Sequence, residues 1–151
     1  MKFRAREFEW DLSKGALVMG VINVTPDSFS DGGECLAKES ALERARAFRD
    51  AGADILDVGA ESSRPGAERI PVEEELRRLL PVLDRVVNEF KMPVSVDTTK
   101  AEVAEKALER GAAIVNDVSG LKADAGVAPV AARFQAGVVL MHRRGDAQTM
   151  Q

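Results

Sequence analysis

Apolar residues gather in five short runs, at 16–22, 53–58, 93–96, 112–115 and 138–141. None of the runs alternates apolar with polar positions, which predicts strands buried on both faces of a parallel sheet. Helical spacing fills the intervals. Ala41, Leu42, Ala45 and Phe48 mark a first helix that Gly52 stops. Val72, Leu76, Leu79, Leu80, Leu83, Val86 and Val87 mark a second, which Pro81 interrupts with a kink or a restart. Val103, Ala104, Ala107 and Leu108 mark a third, closed by Gly111, and Pro129, Val130 and Phe134 a fourth, ending near Gly137. A glycine after each helix is the expected stop. Ahead of these units, Phe3, Ala5 and Phe8 to Trp10 interleave with charges and lead to a turn at Ser13-Lys14-Gly15, a β-ribbon over 1–15.

The order is a ribbon, then five strands with four helices between them, which is an α/β chain. Two architectures compete. A doubly wound sheet usually carries a Gly-rich fingerprint after its first strand, and the chain has no G-x-G-x-x-G. A (β/α)8 barrel needs about 250 residues and eight units, so residues 16–151 would supply strands one to five of it.

Composition narrows the chemistry. The 151 residues carry 21 basic and 25 acidic side chains, a net charge of -4. That balance disfavours nucleic acid as a partner, and one Trp, no Tyr and six Phe make a poor stacking platform. A single cysteine, Cys35, and a single histidine, His142, exclude internal disulfides, zinc fingers and iron–sulfur sites, and leave room for a hard cation on oxygen ligands. No stretch is long and apolar enough to span a membrane and MKFRAREFEW has no signal core, so a cytoplasmic protein with no membrane partner is expected.

Polar residues recur where the strands end: Asn23, Glu61-Ser-Ser-Arg64, Asp97, Asn116-Asp117 and His142-Arg-Arg. Parallel strands put these ends on one face, where α/β folds build their sites. Each residue also has a plainer explanation. Asp97-Thr98-Thr99-Lys100 leads straight into a helix, so Asp97 would serve as its cap, and Asn116 and Asp117 taken alone suit a turn. Arg64 before Pro65-Gly66 suits a surface turn, and Cys35 and Met141 are packing residues by default. Two connections, 23–34 and 59–71, exceed the usual two to six or so residues, which marks them as binding loops. The first lacks a Gly-Lys-Ser/Thr ending and carries Asp27 and Asp31. Carboxylates there fit a bridging divalent cation or a substrate that develops positive charge.

MGVINVTPDSFSDGG, DVGAESSRPGA, SVDTTKAEVAEKALERGAAIVNDVSGL and LMHRRGDAQTMQ follow one another in this order. They resemble the successive signatures of the dihydropteroate synthase family, and the likeness runs from Gly15 to Gln151. The resemblance implies the N-terminal part of a pterin-binding (β/α)8 TIM barrel of folate biosynthesis, a transferase and sulfonamide target. It would join 6-hydroxymethyl-7,8-dihydropterin diphosphate to p-aminobenzoate, assisted by Mg²⁺, and release diphosphate. It further implies that Asn23 ligates the metal, that Asp97 and Asn116 hold the pterin with Asp57 behind them, and that Ser63 and Arg64 approach the diphosphate. Asp31 and Phe29 would close over the aminobenzoate, with Met141 joining the substrate contacts. Arg64 would stabilise the leaving group, and Asp31 the developing cation.

The pterin's adjacent amino and ring N–H donors suit a carboxylate, and an amide suits an edge of mixed donors and acceptors. The second signature has Ser63 where the family usually has Thr, which keeps the hydroxyl. The family's sixth to eighth strands, with an Asp, a Lys and an Arg-x-His motif, and most of its homodimer surface are not in these residues. The 151-residue chain alone is therefore expected to be inactive, and aggregation-prone, domain-swapped or dependent on partner chains. Two other readings stay open: a pterin-binding module without catalysis, and a methyltransferase of the same superfamily, against which DSFSDGG argues.

Overall fold

A computed structural model describes residues 1–24, 33–62 and 69–142, the first five of the middle stretch by backbone only. β1 (Lys2–Ala5) and β2 (Phe8–Asp11) form the antiparallel ribbon. Five parallel strands follow: β3 (Met19–Asn23), β4 (Ile55–Gly59), β5 (Val94–Asp97), β6 (Ile114–Asp117) and β7 (Gly137–Leu140). The intervening helices are α1 (Gly33–Asp50), α2 (Val72–Phe90), α3 (Ala101–Glu109) and α4 (Val127–Arg133).

Strand order in the sheet equals strand order in the chain. A doubly wound sheet reverses direction at a switch point and this one never does, so the architecture is an arc of a (β/α) barrel. Alternate strand residues face opposite ways. Ile22, Leu56, Val58, Val94, Val96 and Val115 pack outward against Leu42, Leu79, Leu83, Val103, Leu108 and Val127 of the helices. Gly20 lets α1 sit close, since a Cβ there would lie 2.7 Å from the Phe48 ring. The inner face holds Met19, Ile55, Ile114 and Val139, and the ribbon closes its lower end with Ala5, Phe3, Phe8 and Trp10. Arg6 latches the ribbon in place: its guanidinium donates to the carbonyls of Leu108 and Ala112, each at 3.0 Å.

Several details depart from the sequence pattern. Four of the five strands begin later than the apolar runs, while β7 begins one residue earlier, at Gly137, and Asn23, Asp97 and Asn116 fall at the last or next-to-last positions of their strands. β3 is not buried on both faces, because Val21 and Asn23 are exposed on the inner side. α2 runs unbroken through Pro81, at the cost of one backbone hydrogen bond. Gly52 and Gly111 do adopt positive φ, but Lys91 (φ 54°) ends α2 and Gln135 (φ 53°) follows α4. Gly137 opens β7, and a Cβ there would sit 2.7 Å from Phe3 Cζ.

Among the described residues, β3 and β7 each have one unpaired edge. Val18, Val21, Leu140 and Met141 are 58, 47, 50 and 40% exposed. An apolar cavity of about 510 Å³, lined by Phe3, Leu17, Met19, Ile55 and Val139 among others, opens on the inner face. Open strand edges beside apolar surface recruit further chain. A polypeptide of residues 1–151 produced alone is expected to self-associate, measured by chromatography with light scattering. A monodisperse, cooperatively unfolding monomer would contradict this.

Candidate functional site

Register gathers the polar strand ends. Asn23, Gly59, Asp97 and Asn116 form one row across β3 to β6. One layer deeper lie Val21, Asp57, Ser95 and Ile114. Both rows face the inside of the arc, away from the helices. Gly59 makes room in the upper row: a Cβ there would come within 3.1 Å of Asp97 Cβ and 3.4 Å of its Oδ2. Lacking one, β4 lets the Asp97 carboxyl lie over it.

Asn116 Nδ2 donates to Asp57 Oδ2 at 3.1 Å. Asp57 is 1% exposed. Its Oδ1 and the nearby Ser95 Oγ are buried without a hydrogen-bond partner. Burial pushes the Asp57 carboxyl up, and the proximity of the Ser95 hydroxyl and the Asn116 amide offset part of the rise. Asp97 moves further, to about 7, chiefly through desolvation and then through the negative charges of Asp57, Glu75, Asp117 and Glu61. Two neighbouring carboxyls that resist ionisation, with a buried oxygen on the deeper one that lacks a partner, form a site with acceptor capacity to spare. A flat ligand that presents adjacent N–H groups would use it.

The plainer role suggested for Asp97 does not hold. Helix α3 is capped by others: Lys100 N–H donates to Thr98 Oγ1 (3.3 Å) and Ala101 N–H to Asp124 Oδ2 (2.8 Å). It does hold for Asp117, whose carboxylate accepts from the N–H groups of Ser119 and Leu121 at 2.7 and 3.0 Å and organises the turn after β6. Met141 follows β7, 40% exposed, with its N–H on the Asp117 carbonyl. Phe29, Asp31, Ser63 and Arg64 lie outside the described residues.

Asn23 is exposed at the C-terminal end of β3. Its amide oxygen is the hard donor that Mg²⁺ accepts, and among the described residues no group of three or more His, Cys, Asp or Glu is arranged to cage a metal. That donor set fits an ion that keeps waters and takes most of its ligands from substrate oxygens.

A cluster beside Asp97 was not singled out from the sequence. Lys100 Nζ reaches Glu61 and Glu75, and Glu75, although on a helix, is completely buried. Its position was the available signal: it falls four residues before Leu79, on the apolar stripe of α2.

Known proteins resemble this chain in sequence and in fold. Residues 19–151 match the family described as pterin binding enzyme. The chain is 46% identical over 144 residues to a dihydropteroate synthase of Synechocystis, covering 95% of this chain and 49% of that one. It is 51% identical over 130 residues to the Bacillus subtilis dihydropteroate synthase, covering 86% and 46%. Among solved structures, the Yersinia pestis dihydropteroate synthase with a sulfonamide drug complex superposes with a TM-score of 0.86 at 42% identity, covering 100% of this chain and 54% of that one. The Xanthomonas albilineans enzyme with 4-aminobenzoic acid gives 0.83 at 44%, covering 95% and 52%. The chain spans about half the length of the curated relatives it matches.

Proposed function

This chain belongs to the pterin-binding enzyme family, and we propose that the protein carrying it is a dihydropteroate synthase. It would transfer a dihydropterin-methyl group from the 6-hydroxymethyl-7,8-dihydropterin diphosphate to the amine of p-aminobenzoate. The observation that supports this best is the inward-facing trio Asp57, Asp97 and Asn116, with its unsatisfied Asp57 oxygen.

In this reading the Asp97 carboxylate accepts the pterin's two adjacent N–H donors, while Asn116, steadied by Asp57, reads the next polar group on the ring. The carbon bearing the diphosphate is benzylic in character, so departure of the leaving group leaves a delocalised cation that the arylamine attacks. No protein nucleophile is needed. Asn23 would hold Mg²⁺ beside the diphosphate, where the ion supplies charge neutralisation when bound. Ser63 and Arg64 would meet the diphosphate, Asp31 the developing cation, and Phe29 and Met141 the aminobenzoate side. A cytoplasmic homodimer goes with this reading.

The test gives the protein encoded by its gene both substrates and follows diphosphate release together with dihydropteroate formation. Turnover is expected, whereas residues 1–151 alone are expected to give none. Pterin binding without turnover by the gene-encoded protein would favour a binding module. Methyl transfer from a methyl-folate would favour the methyltransferase instead.

A further inference from the structure

Where β5 turns into α3, carboxylates crowd together. Asp97 and Thr98 share a cavity of about 30 Å³ with Glu61 and Glu75. Every charged group that raises Asp97 is negative: Asp57 on β4, Glu61 just beyond it, Glu75 on α2 and Asp117 on β6. Lys100, at the start of α3, meets two of the four. Its ammonium bonds Glu61, reaches Glu75 Oε2 at 2.5 Å and donates to the Ile70 carbonyl at 2.8 Å. Glu61 Oε2 also accepts from Ile70 N–H, at 3.2 Å, and Glu75 Oε1 from the Thr98 hydroxyl, at 2.7 Å. One side chain thus joins Glu61, two residues after β4, Ile70, two residues before α2, and the first turn of α2. Its own backbone stands three positions beyond Asp97.

An enclosed ion cluster adds little stability over apolar packing of the same volume. Its distinctive effects are geometric and electrostatic. We propose that Lys100 is a positioning residue for Asp97: it ties Glu61 and Ile70 to the corner that follows β5, and it balances the two carboxylates that share Asp97's cavity. The ligand affected rests on the pterin reading above; the effect on Asp97 does not.

The experiment uses the gene-encoded protein and the variants Lys100→Met, Lys100→Arg, Glu75→Gln and Lys100→Met/Glu75→Gln. Two quantities are read: the Asp97 carboxyl ¹³C shift against pH without ligand, and calorimetric affinity for 6-hydroxymethylpterin at pH 7. Lys100→Met is expected to raise the Asp97 midpoint by about one pH unit and to weaken pterin binding about tenfold. Arginine should keep both near wild type. The double variant, which restores the local charge balance, should return the midpoint towards wild type even where its melting temperature stays low. Glu75→Gln alone should lower the midpoint, which keeps the test alive if Lys100→Met does not fold. An unmoved Asp97 midpoint in both single variants would overturn the proposal and leave a purely structural cluster. A wild-type protein that binds no pterin would overturn the pterin reading, and the midpoints would still decide the role of Lys100.

Discussion

Asp97→Asn is expected to weaken pterin binding about a thousandfold and, in the same protein, to stabilise the fold above neutral pH. The affinity loss has two sources. Two charge-assisted hydrogen bonds, each about 1.5–3 kcal/mol, become at best one neutral bond. The new amide also turns an N–H group towards ligand donors. A total near 4 kcal/mol corresponds to the thousandfold. The gain in stability follows from the raised carboxyl. Its folded value of about 7 lies above the 3.8 of an unperturbed group. Between those values the native state holds a proton that the unfolded chain releases, so stability falls as pH rises from about 4 to 7. Above 7 the full penalty is present, and asparagine does not incur it. For a closed site the interval amounts to about 4 kcal/mol, and partial solvent access at Asp97 brings the expectation to about 2 kcal/mol. Melting curves at pH 4, 6 and 8 with calorimetric titrations check both parts. A variant that binds pterin normally, or that is destabilised at pH 8, would count against the assignment. Wild-type affinity should itself climb as pH rises through about 7, as Asp97 becomes ionised.

Both effects depend on a site that the sequence revealed unevenly. Asp97 and Asn116 were legible because a polar residue that ends an apolar strand has few places to point, and parallel strands put all such places on one face, whereas Asp57, inside an apolar run, was named only through the family resemblance. The ribbon and the five βα units were legible from periodicity. The barrel rather than a doubly wound sheet followed from the motifs, since strand order is a long-range property that local patterns do not carry. Glu75 was illegible for a related reason. A glutamate on a helix ordinarily faces water, and only the arrival of Lys100 and Thr98 from another unit makes its burial tolerable. The exposed inner side of β3 was also hidden. Val21 reads as an ordinary core valine, and its exposure depends on which strand stands beside it. Lys91 and Gln135 replaced the expected glycines at helix ends because a modest left-handed cost is tolerated where a chain reversal fixes the backbone.

Asn116→Leu is expected to cost about a hundredfold in pterin affinity and about 2 kcal/mol of stability at pH 8. Part of the affinity loss is direct, since leucine cannot read a polar ring edge. The rest passes through Asp57. Its Oδ2 would lose the Asn116 donor while Oδ1 has no hydrogen-bond partner, so only the nearby Ser95 hydroxyl would be left to offset the burial of the carboxylate, and its already raised pKa would climb further. A raised folded value penalises the ionised form, so the loss should be greatest at high pH and fade as pH falls below about 4, where Asp57 is protonated in both folded and unfolded chains. Asp57→Leu/Asn116→Leu separates the two contributions. Removing both partners leaves no orphaned charge, so most of the stability at pH 8 should return while pterin affinity stays low. Additive losses in the double variant would mean that Asn116 does not act through Asp57, and that the inner-face pair is two independent residues and not one recognition unit.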